Sequence, residues 1–193
     1  MGIYFLLLII GIVVLCMIYG LYAGVIQKRN KTEEALSGID VHLKKRYDLI
    51  PNILFIANKF MEHERSLIED ITKLRTEAVG LASRTDANTV GRKIDIDNSI
   101  ADKMHQLLVS VENYPQLKSD NTMIQAMQTY AEVEEHIAAA RRFYNSAARE
   151  LKNAIEIFPS SLFAAMLGIS AYPFFEATDA ERKPINAADY FKK

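Results

Sequence analysis

Between Ile3 and Ile26 the chain carries no Asp, Glu, Lys, Arg or His. At 1.5 Å rise per residue this run makes a helix of roughly 36 Å, enough to cross a hydrocarbon core of about 30 Å. Beyond it the apolar positions thin out into a helical period. Leu36, Ile39, Leu43, Tyr47, Ile50, Leu54, Ala57, Met61, Ile68 and Ile71 recur mostly at three or four, drawing one stripe from Lys28 to about Val79. No turn signal separates the stripe from the apolar run, so the span is expected to continue into the first helix of the domain. Pro51 removes a backbone donor and crowds the carbonyl of Tyr47. The stripe stays in phase across it, which predicts a kink and not an end.

Further along, Gly80 and the polar stretch Ser83 to Gly91 predict a loop, followed by a helix from about Asp95 to Asn113 that Tyr114 and Pro115 end. A turn around Lys118 to Asn121 leads into a long helix, Thr122 to Ile157, stopped by Pro159. Ser160 or Ser161 can cap a short apolar helix, Leu162 to Ile169, ending near Gly168. That helix is too short to span a bilayer, and packing over one end of the bundle is its expected role. From Pro173 an irregular tail follows, with Phe174 and Phe175 tied down and the end from about Thr178 loose. No segment alternates as a strand does. The class is all-α: an N-terminal single-pass transmembrane helix continuing into an antiparallel helical bundle of three long helices plus a short C-terminal one. The expected division is an anchor over 1–27, a bundle over 28–176 and a tail over 177–193.

Charge sharpens the membrane reading. The sequence has 193 residues, with 23 Lys and Arg against 24 Asp and Glu, and this near-neutral balance lacks the basic footprint of a nucleic-acid binder. A single Cys excludes an internal disulfide and a multi-cysteine metal site. The apolar run lacks the basic start and small-residue cleavage site of a secretory signal, and neither Leu6 nor the Leu15 and Cys16 pair suits lipid attachment. Basic residues Lys28, Arg29 and Lys31, then Lys44, Lys45 and Arg46, all follow the run. The positive-inside rule therefore puts the N-terminus out and the bundle in the cytoplasm. Lys28, Arg29 and Lys31 can also meet anionic lipid headgroups. Within the span, Gly20 and Gly24 form a GxxxG with Cys16 a turn earlier, a face on which two helices can pack closely and make a homo-oligomer.

Catalytic signatures are missing from the sequence. The residues three before His42, His63, His105 and His136 are Ile39, Phe60, Asp102 and Val133, so the paired Glu-x-x-His of a di-iron bundle does not occur. No phosphate-binding glycine loop, nucleophile elbow or His-Glu-x-x-His is present, and neither cofactor nor metal is expected. The informative polar residues lie where apolar ones belong. On the long helix from Thr122, Glu134 and Arg141 share the register of Met127, Tyr130, Ile137, Tyr144, Ala148 and Leu151. If that face is buried, each charge needs a partner, and Asp40, Arg46, Asp48, Tyr144 and Asn145 are available. The two readings of this network are a structural ion-pair set that fixes helix register, and a ligand or proton-relay site.

Several blocks together resemble the LemA family of bacterial membrane proteins. They are Ile39-Asp40-Val41 with Leu43-Lys44-Lys45-Arg46, Asp48-Leu49-Ile50-Pro51-Asn52, His63-Glu64, Glu112-Asn113-Tyr114-Pro115 with Leu117-Lys118, Arg142 with Tyr144-Asn145, Ile155 with Phe158-Pro159, and Phe175-Glu176. His42 stands where Gln is expected, and Lys152-Asn153 where the family would repeat Tyr-Asn. The resemblance runs from about Asn30 to Glu176. It implies a single-pass anchor, a cytoplasmic or membrane-apposed antiparallel bundle, an association with membrane organisation or biogenesis, and no catalytic residues or cofactor to carry over. The function expected is a non-enzymatic membrane-anchored scaffold that self-associates or organises membrane proteins, with Leu162 to Phe175 as its adhesive surface. The alternative is an adaptor or regulatory subunit of a membrane protease or sensor. An enzyme using Glu134, Arg141 and Tyr144 would need an open polar cleft around them.

Overall fold

The computed structural model describes residues 2–81 and 87–175. Helix α1 runs Gly2–Ala57, α2 Arg65–Leu81, α3 Ala87–Ser110, α4 Pro115–Lys118, α5 Asn121–Glu156 and α6 Ser160–Met166, with short 3-10 turns at Glu62–Glu64 and Val111–Asn113. Among the described residues there is no strand. The all-α class and the N-terminal apolar helix leading into a bundle stand. The tail over 177–193 lies outside the described residues, as do Ser83, Arg84, Thr85 and Asp86 of the expected loop.

The long first stripe is two helices. After Ala57 the chain turns through Asn58, Lys59 and Phe60, and Met61 leaves the helical region at φ −114° and ψ 64° while its side chain is fully buried. Met61 thus keeps its place in the apolar pattern although the helix has ended. α3 begins earlier than expected, at Ala87, and takes Asn88, Thr89 and Gly91 into the helix. Burial of Val90 and Ile94 there outweighs weak helix propensity. The ends of α5 fall close to the predicted ones. Asp120 caps its start by accepting from the Met123 N–H at 3.0 Å. Ser160 is inside α6 and does not cap it, its hydroxyl bonding back to the Ile157 carbonyl. Gly168, at φ 64°, ends α6 with its N–H on the Ala165 carbonyl and the Ile169 N–H on the Ala164 carbonyl, the paired bonds that left-handed geometry permits.

The described chain divides into two compact units. One comprises α1 to Leu43 and the stretch Glu135–Phe174; the other comprises Lys44 to the end of α2, α3 from Asn88 through Glu134 of α5, and Phe175. In the first, α1 and α5 pair antiparallel. His42 stacks on His136 with ring centroids 5.4 Å apart, Lys31 bonds Glu150 at 3.0 Å, and Val25 packs with Ala154, so numbers fall along one helix as they rise along the other. Buried Thr32, Ala35, Ala147, Ala148 and Ala154 keep the two helices thin where they meet. The chain after α6 then straps them. Tyr144 donates to the Pro173 carbonyl at 2.8 Å, Tyr172 to Glu33 at 3.2 Å, and Lys152 lies over the Phe174 ring.

In the second unit α1, α2 and α3 pack through Ile50, Ile53, Ile71, Ile100 and Met104. Ion pairs Lys103–Asp70 and Arg92–Glu77 tie α3 to α2 at the surface. Pro51 sits exposed inside α1. Having no N–H, it leaves the carbonyl of Tyr47 without its usual intrahelical donor, and Arg75 of α2 supplies one, Nε to oxygen at 2.6 Å.

This exchange is measurable as a coupling. Arg75→Ala should cost about 1.5–3 kcal/mol, the range for hydrogen bonds to charged groups. In a Pro51→Ala background, where the helix supplies its own donor, the same change should cost much less. Denaturant unfolding of the four proteins in detergent, followed by circular dichroism, gives the cycle.

Candidate functional site

Among the described residues the densest buried polar cluster lies in the second unit and centres on Arg46. Its stripe neighbours Leu43 and Ile50 carry it inward, and its side chain is 0% exposed. The guanidinium has three acceptors. Nη1 donates to Glu134 Oε1 at 3.0 Å, and Nη2 donates to the Asp97 backbone carbonyl at 3.3 Å and ion-pairs with the Asp97 carboxylate. Asp97 is also 0% exposed and accepts from the Tyr47 hydroxyl at 3.3 Å. Arg46 lies 5.7 Å from the Tyr47 ring centroid. Tyr130, one helical turn before Glu134, completes the cluster. Burial pushes its phenol well above the ordinary tyrosine range; the Arg46 charge opposes that shift and the Glu134 charge adds to it.

Of the polar residues that the sequence singles out, Arg46 and Glu134 meet here; Asp97 is not among them. A signal was there. Asp97 falls three after Ile94 and three before Ile100 on the apolar stripe of α3, the same test that singles out Glu134. Asp48 is a correction: it lies at the surface, 3.2 Å from Lys44 and 60% exposed, because it falls off the stripe that carries Arg46. Asp40, Arg141, Tyr144 and Asn145 belong to the first unit, where Tyr144 is fully buried and the others are half-buried. The Tyr144 hydroxyl is engaged by Pro173, and burial raises its pKa as well.

A cluster so closed has an evident physical role. A buried carboxylate needs a fixed cation, and a guanidinium that meets Asp97 and Glu134 at once locks α1, α3 and α5 in one register within this unit. Among the described residues no group of His, Cys, Asp and Glu is placed to hold a metal ion. A shallow groove of about 420 Å³ lies in the same unit, lined by Pro51, Leu54, Phe55, Arg65, Ile68 and Arg75 among others and by none of the cluster's residues.

The other outstanding surface is α1 itself. From Gly2 to Gly20 every residue is exposed, including Leu6, Leu7, Leu8, Val13, Leu15 and Met17. None of its most apolar window is buried, so this is not a core helix. It is long and apolar enough to cross a membrane, and it marks the protein as membrane-associated. Cys16 and Gly20 lie on this exposed surface and Gly24 is half-buried. A Cβ placed on either glycine would meet nothing within 4 Å. Of the basic flank, Arg29 pairs with Glu33 and Lys31 with Glu150, both across partly exposed side chains, while Lys28 is half-buried.

Arg46→Leu should destabilise the protein by about 3–5 kcal/mol, because it strands Asp97 in the core without its cation. Thermal unfolding in detergent checks this; a variant as stable as the parent would remove the register role. The raised tyrosine pKa values make a second forecast. A neutral phenol favoured by the fold contributes stability that is intact below the unfolded value of about 10 and is lost as pH climbs through the folded one. Tyr130→Phe should therefore move the midpoint of alkaline unfolding upward, as followed by circular dichroism.

Comparison with known proteins agrees with these features. The magnetosome proteins MamQ 2 and MamQ 1 of Paramagnetospirillum magneticum are each 24% identical to the chain over 182 residues, covering 84% of it and 67% of their own length. The magnetosome protein MamQ of Magnetospirillum gryphiswaldense is 21% identical over 177 residues, covering 81% of this chain and 65% of its own. The chain thus spans about two thirds of the length of these relatives. Neither their names nor the family's description states a reaction. The match to the family covers residues 35–188, most of the sequence and nearly all of the helical domain, and the chain belongs to the LemA family.

Proposed function

We propose that the protein is a non-enzymatic, membrane-anchored helical scaffold that self-associates or organises other proteins at the bacterial inner membrane, with its N-terminus outside and its helical domain in the cytoplasm. The observation that carries this reading is that α1 is one helix from Gly2 to Ala57, bare of protein contacts over its apolar start and packed into the domain from Val25 onward. A helix of that kind holds the domain to lipid without a flexible linker. Lys28, Arg29 and Lys31 follow the span and favour the cytoplasmic side for the domain. Confinement to a surface raises effective concentration, so weak contacts suffice for assembly. The open face at Cys16, Gly20 and Gly24 is available for a second copy. The relatives are named for a structure, the magnetosome, and not for a reaction, which supports a structural role.

The adaptor reading draws on a different feature. Exposed Phe55 lies between the groove beside Pro51 and a second one, lined by Asn52, Ile56, Lys59 and Phe60 among others, and such a surface suits a peptide of a membrane protease or sensor. Recovery of one stoichiometric foreign partner with no homo-oligomer would favour it.

Mass measurement in mild detergent separates the possibilities. The full chain should run as an oligomer, Gly20→Leu with Gly24→Leu should reduce it toward monomer, and a chain lacking residues 1–27 should leave the membrane. Crosslinking in native membranes that gives only monomer at every protein level would overturn the scaffold reading.

A further inference from the structure

The two longest stretches without a charged or histidine side chain are 1–27 and 157–175. The first supplies the membrane helix. The second contains α6, and the fold brings the two together at one end of the first unit. Val25 packs with Ala154 and Ala164, and Ile155, Phe163 and Ile169 close around them. α6 is therefore seated where the apolar start of α1 enters the domain.

Its outward side chains are not those of a water-facing cap. Phe158 is 75% exposed and Met166 79%, with Ile157, Leu162 and Leu167 exposed beside them. The register of α1 against α5, traced through His42 with His136, Lys31 with Glu150 and Val25 with Ala154, continues to place Ile157 and Phe158 level with Leu21 and Tyr22. That is the level at which α1 itself passes to an apolar surface exposed all round. On α1 the charged residues nearest the span are Lys28, Arg29 and Lys31; on α5 Arg149 and Lys152 face that level, and Glu156 follows them about one turn nearer the span. The nearest acidic side chain, Glu156, lies 3.9 Å from Lys152. Water would leave this cluster of large apolar side chains uncovered, whereas lipid lies at the same level without any further partner.

We propose that α6 and the corner between α5 and α6 are a second membrane contact, immersing Phe158, Leu162 and Met166 in the headgroup–acyl boundary of the leaflet from which α1 emerges. The occupant is a lipid surface. A single spanning helix leaves the attached domain free to tilt and to turn about the helix axis; a second contact beside it fixes both. The stretch Leu162 to Phe175, which the sequence suggests as a protein-binding surface, is on this account partly core, through Ala164, Ile169 and the strap to Phe174, and partly lipid-facing. The inference rests on α1 spanning the bilayer, and its test keeps the two apart.

The chain has no Trp, so one introduced residue reports without background. Full-length protein carrying Leu15→Trp, Phe158→Trp, Met166→Trp or Phe143→Trp would be reconstituted into phosphatidylcholine vesicles with and without brominated acyl chains. Phe143 is 56% exposed on α5 and about 21 Å back from Ile157 along the helix, a position clear of lipid. Leu15→Trp should be quenched most by bromines deep in the chains. Phe158→Trp and Met166→Trp should lose about half their emission to bromines near the headgroup, consistent with immersion of about 5–10 Å, and Phe143→Trp almost none. Quenching of Leu15→Trp with Phe158→Trp and Met166→Trp no more affected than Phe143→Trp would overturn the second contact alone. Absence of quenching at Leu15→Trp as well would overturn the spanning helix with it. Shielding of Phe158→Trp from both lipid bromine and aqueous acrylamide would place protein on this surface and also overturn the proposal.

Discussion

One helix, α1, has to satisfy two solvents. Its first turns expose apolar side chains on every side, a state that is stable only in lipid, while from Val25 it presents a stripe of buried residues to α5 and then to α2 and α3. Nothing breaks the helix between these regimes. The backbone hydrogen bonds that a bilayer demands are satisfied by the same ladder that supports the domain. The side chains change from lipid-compatible to core-compatible near Val25.

Farther along, the price of running a helix through a proline and past a buried cation is met by specific partners. Arg75 takes the carbonyl that Pro51 releases, and Arg46 gathers Asp97 and Glu134 around a guanidinium sealed from water. These interactions are directional where apolar packing is not, and a sliding helix would break them first.

The pattern of the sequence made the class, the apolar helix and the limits of α5 legible, because an uncharged run, a period of three to four and the stop at Pro159 are local signals. Two features were hidden by the same periodicity. The end of α1 at Ala57 carries neither Gly nor Pro, and buried Met61 keeps the apolar spacing through a turn that is not helical. The start of α3 among Asn88, Thr89 and Gly91 looks like a loop until burial of Val90 is known. In the Arg46 cluster, Glu134 was visible as a charge on an apolar stripe and Asp97 was equally placed. Asp48, one of the partners the sequence offers for the buried charges, sits on the opposite side of its helix turn, where Lys44 meets it in water.

The account depends on α1 remaining whole and in lipid. The direct measurement is the intact mass of the protein recovered from the producing cell, taken separately from alkali-washed membranes and from the soluble fraction. A mass that retains residues 1–27, recovered with the membranes, is the expected result. A soluble form shortened by its first two dozen residues would contradict it.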